Sequence, residues 1–311
     1  MSDLVIPSQA GRTAVITGAN SGIGFVAARR LGEAGARVVL ACRSAERAAA
    51  AVASLQERVP EGQFEWVQLD LASLASVRAA AAQVRERVER VDLLINNAGI
   101  MAIPRTLTPD GFEMQLGTNH LGHFAWTGLL VDRVLHPGAR VVTLSSNAHK
   151  MGWLHLDNLM RERRYEKWFV YGQSKLANLL FAYELQRRLA AAGAPTMSVA
   201  CHPGWASTNL QMVGPQVTGS KLSGWFWGAG NRYLAQDAEA GALPTLLAAT
   251  GADVEPGACY GPSRWFEMIG APKRVQSNPR SHNLDDAKAL WERSIELTGV
   301  DFATLAPGAT S

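Results

Sequence analysis

Short apolar runs separated by helical stretches constrain this chain more than any other feature. Ala14–Ile16, Arg37–Ala41, Phe64–Leu69, Asp92–Ile95, Arg140–Leu144 and Met197–Cys201 read as strands of three to six residues. Amphipathic patterns over Gly22–Ala34, Ser44–Val59, Ser73–Val88, Gly111–Leu135 and Val170–Ala192 read as the helices between them. Two further helices are expected over Asp237–Ala249 and Leu284–Leu297. Short strands joined by crossovers of a dozen or more residues pair in parallel, and right-handed crossovers wind such a sheet doubly. The expectation is therefore an α/β fold, a Rossmann-type doubly wound parallel sheet flanked by helices. No linker, repeat or low-complexity tract interrupts residues 1–311, which reads as a single domain. Residues 147–168 read as an insertion, and 205–235 as a small substrate-binding lid after the sixth strand.

Composition narrows the function classes. With 47% hydrophobic and 18% charged residues, the chain has ample material for a core. A net charge of +3 provides no broad basic field for nucleic acid. Cys42, Cys201 and Cys259 are odd in number and widely spaced, so they predict reduced thiols in a cytoplasmic protein rather than a disulfide framework. The N-terminal residues lack the pattern of a signal peptide. Met114–Val131 carries no Lys, Arg, Asp or Glu, yet Gln115, Asn119, His120, His123 and three glycines make it a buried helix rather than a membrane span.

The first strand runs into Thr17-Gly18-Ala19-Asn20-Ser21-Gly22-Ile23-Gly24, and the first helix follows. At that joint Gly18 permits a tight turn, Gly22 a close backbone approach to a pyrophosphate, and Gly24 close helix packing. The unpaired N–H groups of the helix N-terminus then face the anion. Glycine also ends strands for purely structural reasons, so position gives this motif its weight. The second strand ends in Ala41-Cys42-Arg43-Ser44, with a basic residue where an NAD site usually carries an acid. Arg43 suits a 2′-phosphate, so NADP(H) is the favoured cofactor, with NAD(H) as the other option; the plainer reading is a solvent-facing arginine at a strand end.

Tyr171 and Lys175 lie four apart at the start of a helical pattern and share one face. A free phenol, with a pKa of ~10, is a poor base at neutrality. A neighbouring ammonium is expected to draw it down toward a useful range. In isolation such a pair is commonly a surface feature, but here other motifs accompany it in order. These are Asn96-Asn97-Ala98-Gly99 after the fourth strand, Asn119 in the long helix, Ser145-Ser146 after the fifth and Pro203-Gly204 after the sixth.

Together these motifs resemble the short-chain dehydrogenase/reductase family over nearly the whole chain. Local wording such as Thr118-Asn119-His120-Leu121-Gly122-His123-Phe124 resembles its retinol-dehydrogenase-like branch. The resemblance implies that Tyr171 is the general acid or base and that Lys175 lowers its pKa and holds the nicotinamide ribose. It also implies that Ser146 bonds the substrate oxygen and that Asn119 positions a relay water. Ser145 and Ser146 cannot both face the substrate from one strand, and family register favours Ser146. Asp70 and Leu71 would sit by the adenine, Asn97, Ala98 and Gly99 under the adenosine, and Pro203, Gly204 and Thr208 by the nicotinamide. For Asp70, the competing reading is an acid near a helix N-terminus.

The implied activity is NADP(H)-dependent interconversion of a carbonyl and an alcohol on a lipophilic small molecule, retinoid-, steroid- or aldehyde/ketone-like. The alternative is a non-enzymatic protein that senses NADP(H) and acts through a partner. Relatives assemble through the helices bearing Asn119 and Tyr171, so the resemblance also implies a homo-oligomer, dimer or tetramer. His120 and His123 have no third ligand in spacing and read as structural rather than metal-binding. His149, His155 and the tryptophans Trp153, Trp168, Trp205, Trp225 and Trp227 are candidates for the substrate pocket or for packing.

Overall fold

The structure, a computed structural model, describes residues 4–204 and 238–305. All six expected strands are present: β1 (Thr13–Thr17), β2 (Arg37–Cys42), β3 (Gln63–Gln68), β4 (Leu93–Asn96), β5 (Arg140–Leu144) and β6 (Met197–Cys201). Between the first four run α1 (Gly22–Glu33), α2 (Ala45–Arg58) and α3 (Leu74–Arg87). The helix expected over 111–135 is instead α4 (Met114–Leu116), a π-turn at Gly117–Leu121 and α5 (Gly122–Val134). Later come α6 (Lys167–Ala191), α7 (Ala238–Thr250) and α8 (Leu284–Thr298). The proposed lid at 205–235, with Trp205, Thr208, Trp225 and Trp227, lies outside the described residues.

Two strands were not expected. β7 (Cys259–Arg264) and β8 (Ile269–Val275) extend the sheet, giving the order β3-β2-β1-β4-β5-β6-β7-β8. β7 pairs parallel to β6, and β8 returns antiparallel at the edge. Both strands contain glycine and proline, which weaken the signal of a strand in sequence. A register shift between Pro262 and Arg264 marks the irregularity that accommodates them.

The inner strands are buried on both faces, as a covered parallel sheet requires. Ala14 and Ile16 face one layer with α1, α2 and α7, while Val15 faces the other with α3, α5 and α8. In that second layer Phe124, Phe181, Trp291 and Phe302 form an aromatic cluster, with Trp291 and Phe302 centroids 4.5 Å apart. The Arg188 guanidinium lies 4.5 Å from the Trp291 ring centroid. Leu176 and Leu180 of α6 pack with Ala287 and Leu290, so α8 covers one side of α6.

Helix starts follow from polar side chains. Ser44 and Ser73 accept the Arg47 and Ser76 amides at the starts of α2 and α3. The Glu113 carboxylate accepts the amides of Gln115 and Leu116, and so starts α4 after residue 111 rather than at it. Gly122 lets α5 lie close to the Leu71 carbonyl, where a Cβ would approach to 2.3 Å.

Among the described residues no helix is long and apolar enough to cross a membrane. Trp291→Ala should lower unfolding free energy by about 3–5 kcal/mol in denaturant titration, through the cavity it leaves. Phe266→Ala, at an 86% exposed residue, should leave the midpoint within error. Burial also holds the imidazoles of His120, His123 and His149 down at about 3, 4 and 4. Their folded-state values lie below the ordinary ~6.5, so their stability contribution is complete above that pH and is lost as pH falls toward 4. The urea midpoint should therefore drop between pH 7 and pH 5.

Candidate active site

The sheet register brings the expected motifs to one edge. Ile16 pairs with Ile95, so the Thr17–Gly18 and Asn96–Asn97 segments leave the sheet side by side. Leu144 pairs with Cys201, and Ser145 N–H donates to Cys201 O at 2.7 Å, which sets 145–146 beside 202–203. The chain turns from β3 across β1 to β4, so this is the switch point at the carboxyl ends of the strands. A cleft of about 670 Å³ opens there.

At one end, Gly18 and Gly22 take φ of +68° and +56° in the turn before α1. A Cβ on Gly24 would lie 2.6 Å from the Asn97 side chain and from Gly18 O, which interlocks the turn with the end of β4. Asn97 Nδ2 donates to Thr17 O at 2.7 Å and strengthens that contact. The Ser21 side chain does not cap α1, unlike the serines of α2 and α3, so amides at the α1 N-terminus face the cleft. Asn20, Ser21, Ile23, Asp70, Leu71, Ala98 and Gly99 also line it. Asp70 Oδ1 accepts the Ala72 amide at 3.0 Å, so this acid shapes the turn after β3 as well as the cleft wall.

Arg43 reaches the cleft, and so does Arg47 one turn into α2. Sequence reading missed Arg47, although Ser44 as the cap of α2 would have placed it near Arg43. This end has the donor set a dinucleotide phosphate needs: glycine-lined backbone, helix amides and two guanidiniums.

At the other end stand Ser146, Tyr171 and Lys175. Ser146 hydrogen-bonds the Tyr171 phenol, whereas Ser145 Oγ donates to Lys175 O at 2.8 Å and serves the scaffold. The structure departs from the spacing argument in one respect. Lys175 Nζ lies 5.9 Å from the Tyr171 ring centroid and donates to Leu144 O at 3.3 Å. Burial pushes the phenol up to about 12, against the Ser146 hydrogen bond, and pulls Lys175 down to about 8. The dominant effect on Tyr171 is desolvation, not the ammonium.

Asn119 is fully buried and is not among the residues lining the cleft. Its Oδ1 accepts Ile100 N–H at 2.8 Å, and its Nδ2 donates to Ile100 O and Ser174 Oγ, both at 2.9 Å. The amide thus holds the segment after Gly99 in place, while the Asn119 main-chain carbonyl accepts from His123 Nδ1 at 2.9 Å. Pro203 and Gly204 line the cleft, and Gly204, at φ +70°, lies against the β7–β8 tip, where a Cβ would meet Met268 O at 2.3 Å.

Ile100, Met101, Met151, Trp168 and Met268 give this end an apolar wall. Trp168 enters because the Glu166 carboxylate caps α6 and starts it at Lys167, three residues before the expected start. Among the described residues, the other aromatic candidates do not join it. Trp153 is exposed under the Arg280 guanidinium, 4.1 Å from its ring centroid, and His155 is exposed. His149 is buried, donating from Nδ1 to Ser146 O at 2.6 Å and accepting Asn278 N–H at 3.3 Å.

Residues 12–216 match the model of the short chain dehydrogenase family. The chain is 38% identical to retinol dehydrogenase 13 of Homo sapiens over 95% of its length and 88% of that protein. It superposes on an uncharacterized protein from Mycobacterium Paratuberculosis with TM-score 0.79 and 45% identity, covering 96% of this chain and 97% of that one. A Pseudomonas aeruginosa RhlG/NADP active-site complex aligns at TM-score 0.63 and 25% identity, over 81% of this chain and 94% of that one. Glycine turn, Tyr171–Lys175 pair, sheet order and relatives agree: the chain belongs to the short-chain dehydrogenase/reductase family, in its retinol-dehydrogenase-like branch, and is an NAD(P)-dependent alcohol/carbonyl oxidoreductase.

Proposed function

We propose that the protein interconverts a carbonyl and an alcohol on a lipophilic small molecule, with NADP(H) as cofactor and Tyr171 as general acid or base. The observation that carries this reading is the single cleft joining the glycine turn, Arg43 and Arg47 to Ser146 and Tyr171. Gly18 to Gly24 and the α1 amides would hold the pyrophosphate, Arg43 and Arg47 the 2′-phosphate, and Lys175 the nicotinamide ribose. A bound nicotinamide supplies or accepts the hydride. Tyr171 Oη supplies the proton to a carbonyl oxygen, and the Ser146 hydroxyl orients that oxygen. A phenol held at about 12 carries its proton at neutrality, so the proton for a carbonyl oxygen is present before reduction begins. The apolar wall of Ile100, Met101, Met151, Trp168 and Met268 supports a lipophilic substrate.

This reading keeps a cytoplasmic setting, in line with the three free buried thiols. Assembly of a homo-oligomer would have to proceed around α8, which covers one side of α6.

NADPH oxidation followed at 340 nm with a panel of hydrophobic aldehydes and ketones should show turnover. Tyr171→Phe should lose about 10²-fold or more in kcat. Tight NADPH binding with no turnover across the panel would favour a cofactor-sensing protein instead. For cofactor choice, Arg43→Asp should weaken NADPH by about tenfold or more while changing NADH little, because it removes a charged phosphate partner and adds repulsion. Arg47→Ala should act in the same direction with a smaller effect, and equal losses for both nicotinamides would contradict the assignment.

A further inference from the structure

His123 is fully buried, carries both ring nitrogens in hydrogen bonds, and has no part in the chemistry above. Its partners fix a direction for every proton around it. Thr17 Oγ1, at the end of β1, accepts the amides of Asn97 and Ala98, each at 2.9 Å. An oxygen that already accepts two protons must give its own away. The candidates are Ile95 O at 3.5 Å and His123 Nε2 at 2.8 Å, and the shorter contact takes it. Nε2 is therefore the acceptor, and the imidazole proton sits on Nδ1. That nitrogen faces Asn119 O at 2.9 Å, a carbonyl that can only accept.

We propose that His123 is a positioning residue: through Thr17 it ties the dinucleotide-binding turn and the 97–98 segment to the main-chain carbonyl of Asn119. The proposal rests on the cleft being the NADP(H) site and adds a coupling within it. One end of the chain of bonds is the hydroxyl next to Gly18. The other is the main-chain carbonyl of Asn119, inside the π-turn at Gly117–Leu121; the side-chain amide of that residue is fully engaged elsewhere. Displacement of the 97–98 backbone by a bound nucleotide moves Thr17 Oγ1, and the ring passes that movement to Asn119. A proton added at Nε2 would point at an oxygen already holding two N–H donors. Burial opposes that proton too, holding the ring at about 4, with Lys175 adding to the effect. His120 does not share the role, because its Nε2 bonds Ser294 Oγ at 2.9 Å and ties the π-turn to α8.

A purely space-filling histidine would tolerate either amide in its place, whereas a directional one would not. In His123→Asn the side-chain amide can still donate to Asn119 O, and in His123→Gln it can still accept from Thr17 but reaches past that carbonyl. Hydrogen exchange by mass spectrometry, with and without NADPH, provides a readout independent of turnover. In the wild type, NADPH should slow exchange in peptides covering 17–24 and also 117–123. In His123→Leu and His123→Gln, protection at 17–24 should persist and protection at 117–123 should vanish; His123→Asn should retain part of it. In steady state, His123→Gln should lose about tenfold in kcat, the value of one buried hydrogen bond, with KM for NADPH nearly unchanged and His123→Asn closer to wild type. Equal behaviour of Asn and Gln, or undiminished protection at 117–123 in His123→Gln, would overturn the coupling. If His123→Leu does not fold, the Asn and Gln pair decides. A wild type that transmits protection but turns over no carbonyl would refute the proposed function and leave the coupling standing.

Discussion

Parallel pairing of β1 with β4, β4 with β5 and β5 with β6 is the constraint on which the rest of the structure depends. It sends the ends of four strands out at one edge, where unpaired backbone groups and loop side chains collect. Shifting any one register by a residue would turn its buried side chains to the opposite face and move its motif out of the cleft. The buried alternation of Ala14, Val15 and Ile16 prevents that shift at β1. Close approaches at Gly24 and Gly18 then lock the nucleotide turn against Asn97 and Ala98. Chemistry and packing are thus specified by the same residues.

Much of this was legible in the sequence, and the reasons differ by element. The inner strands β1, β2, β4, β5 and β6 are buried on both faces and read as apolar runs, while β3 lies at the sheet edge and is largely half-buried; the glycine turn was legible because it sits at the first strand–helix joint. Tyr171 and Lys175 were legible through their spacing together with the ordered motifs around them, and Ser146 through the family register, strand alternation showing only that Ser145 could not share its role. β7 and β8 were hidden because Gly261, Pro262, Gly270 and Pro272 erase strand propensity, while an edge strand and a register shift tolerate them. Met268, carried by the turn between those strands, was hidden with them.

Other features depend on tertiary context that no local pattern encodes. The break in the expected helix over 111–135 comes from Glu113 capping the chain at Met114 and from the π-turn that follows. The phenol of Tyr171 rises rather than falls because desolvation outweighs the Ser146 hydrogen bond, while the Lys175 ammonium donates to Leu144 O. Asn119 was legible as a position but not as a geometry: its side chain braces Ile100 and Ser174, and its main-chain carbonyl accepts from His123. Trp153 read equally as a pocket aromatic or a packing residue, and it lies against Arg280 at the surface, since sequence proximity to a site does not fix a direction.

The central claim is spatial: one cleft holds a dinucleotide from the Gly18–Gly24 turn to the Tyr171 hydroxyl. A crystal structure of the protein with NADPH tests it most directly. The account predicts the pyrophosphate over the α1 N-terminus, the 2′-phosphate between Arg43 and Arg47, and the nicotinamide facing Ser146 and Tyr171. Cofactor density elsewhere, or a nicotinamide ring remote from the Tyr171 hydroxyl, would contradict it.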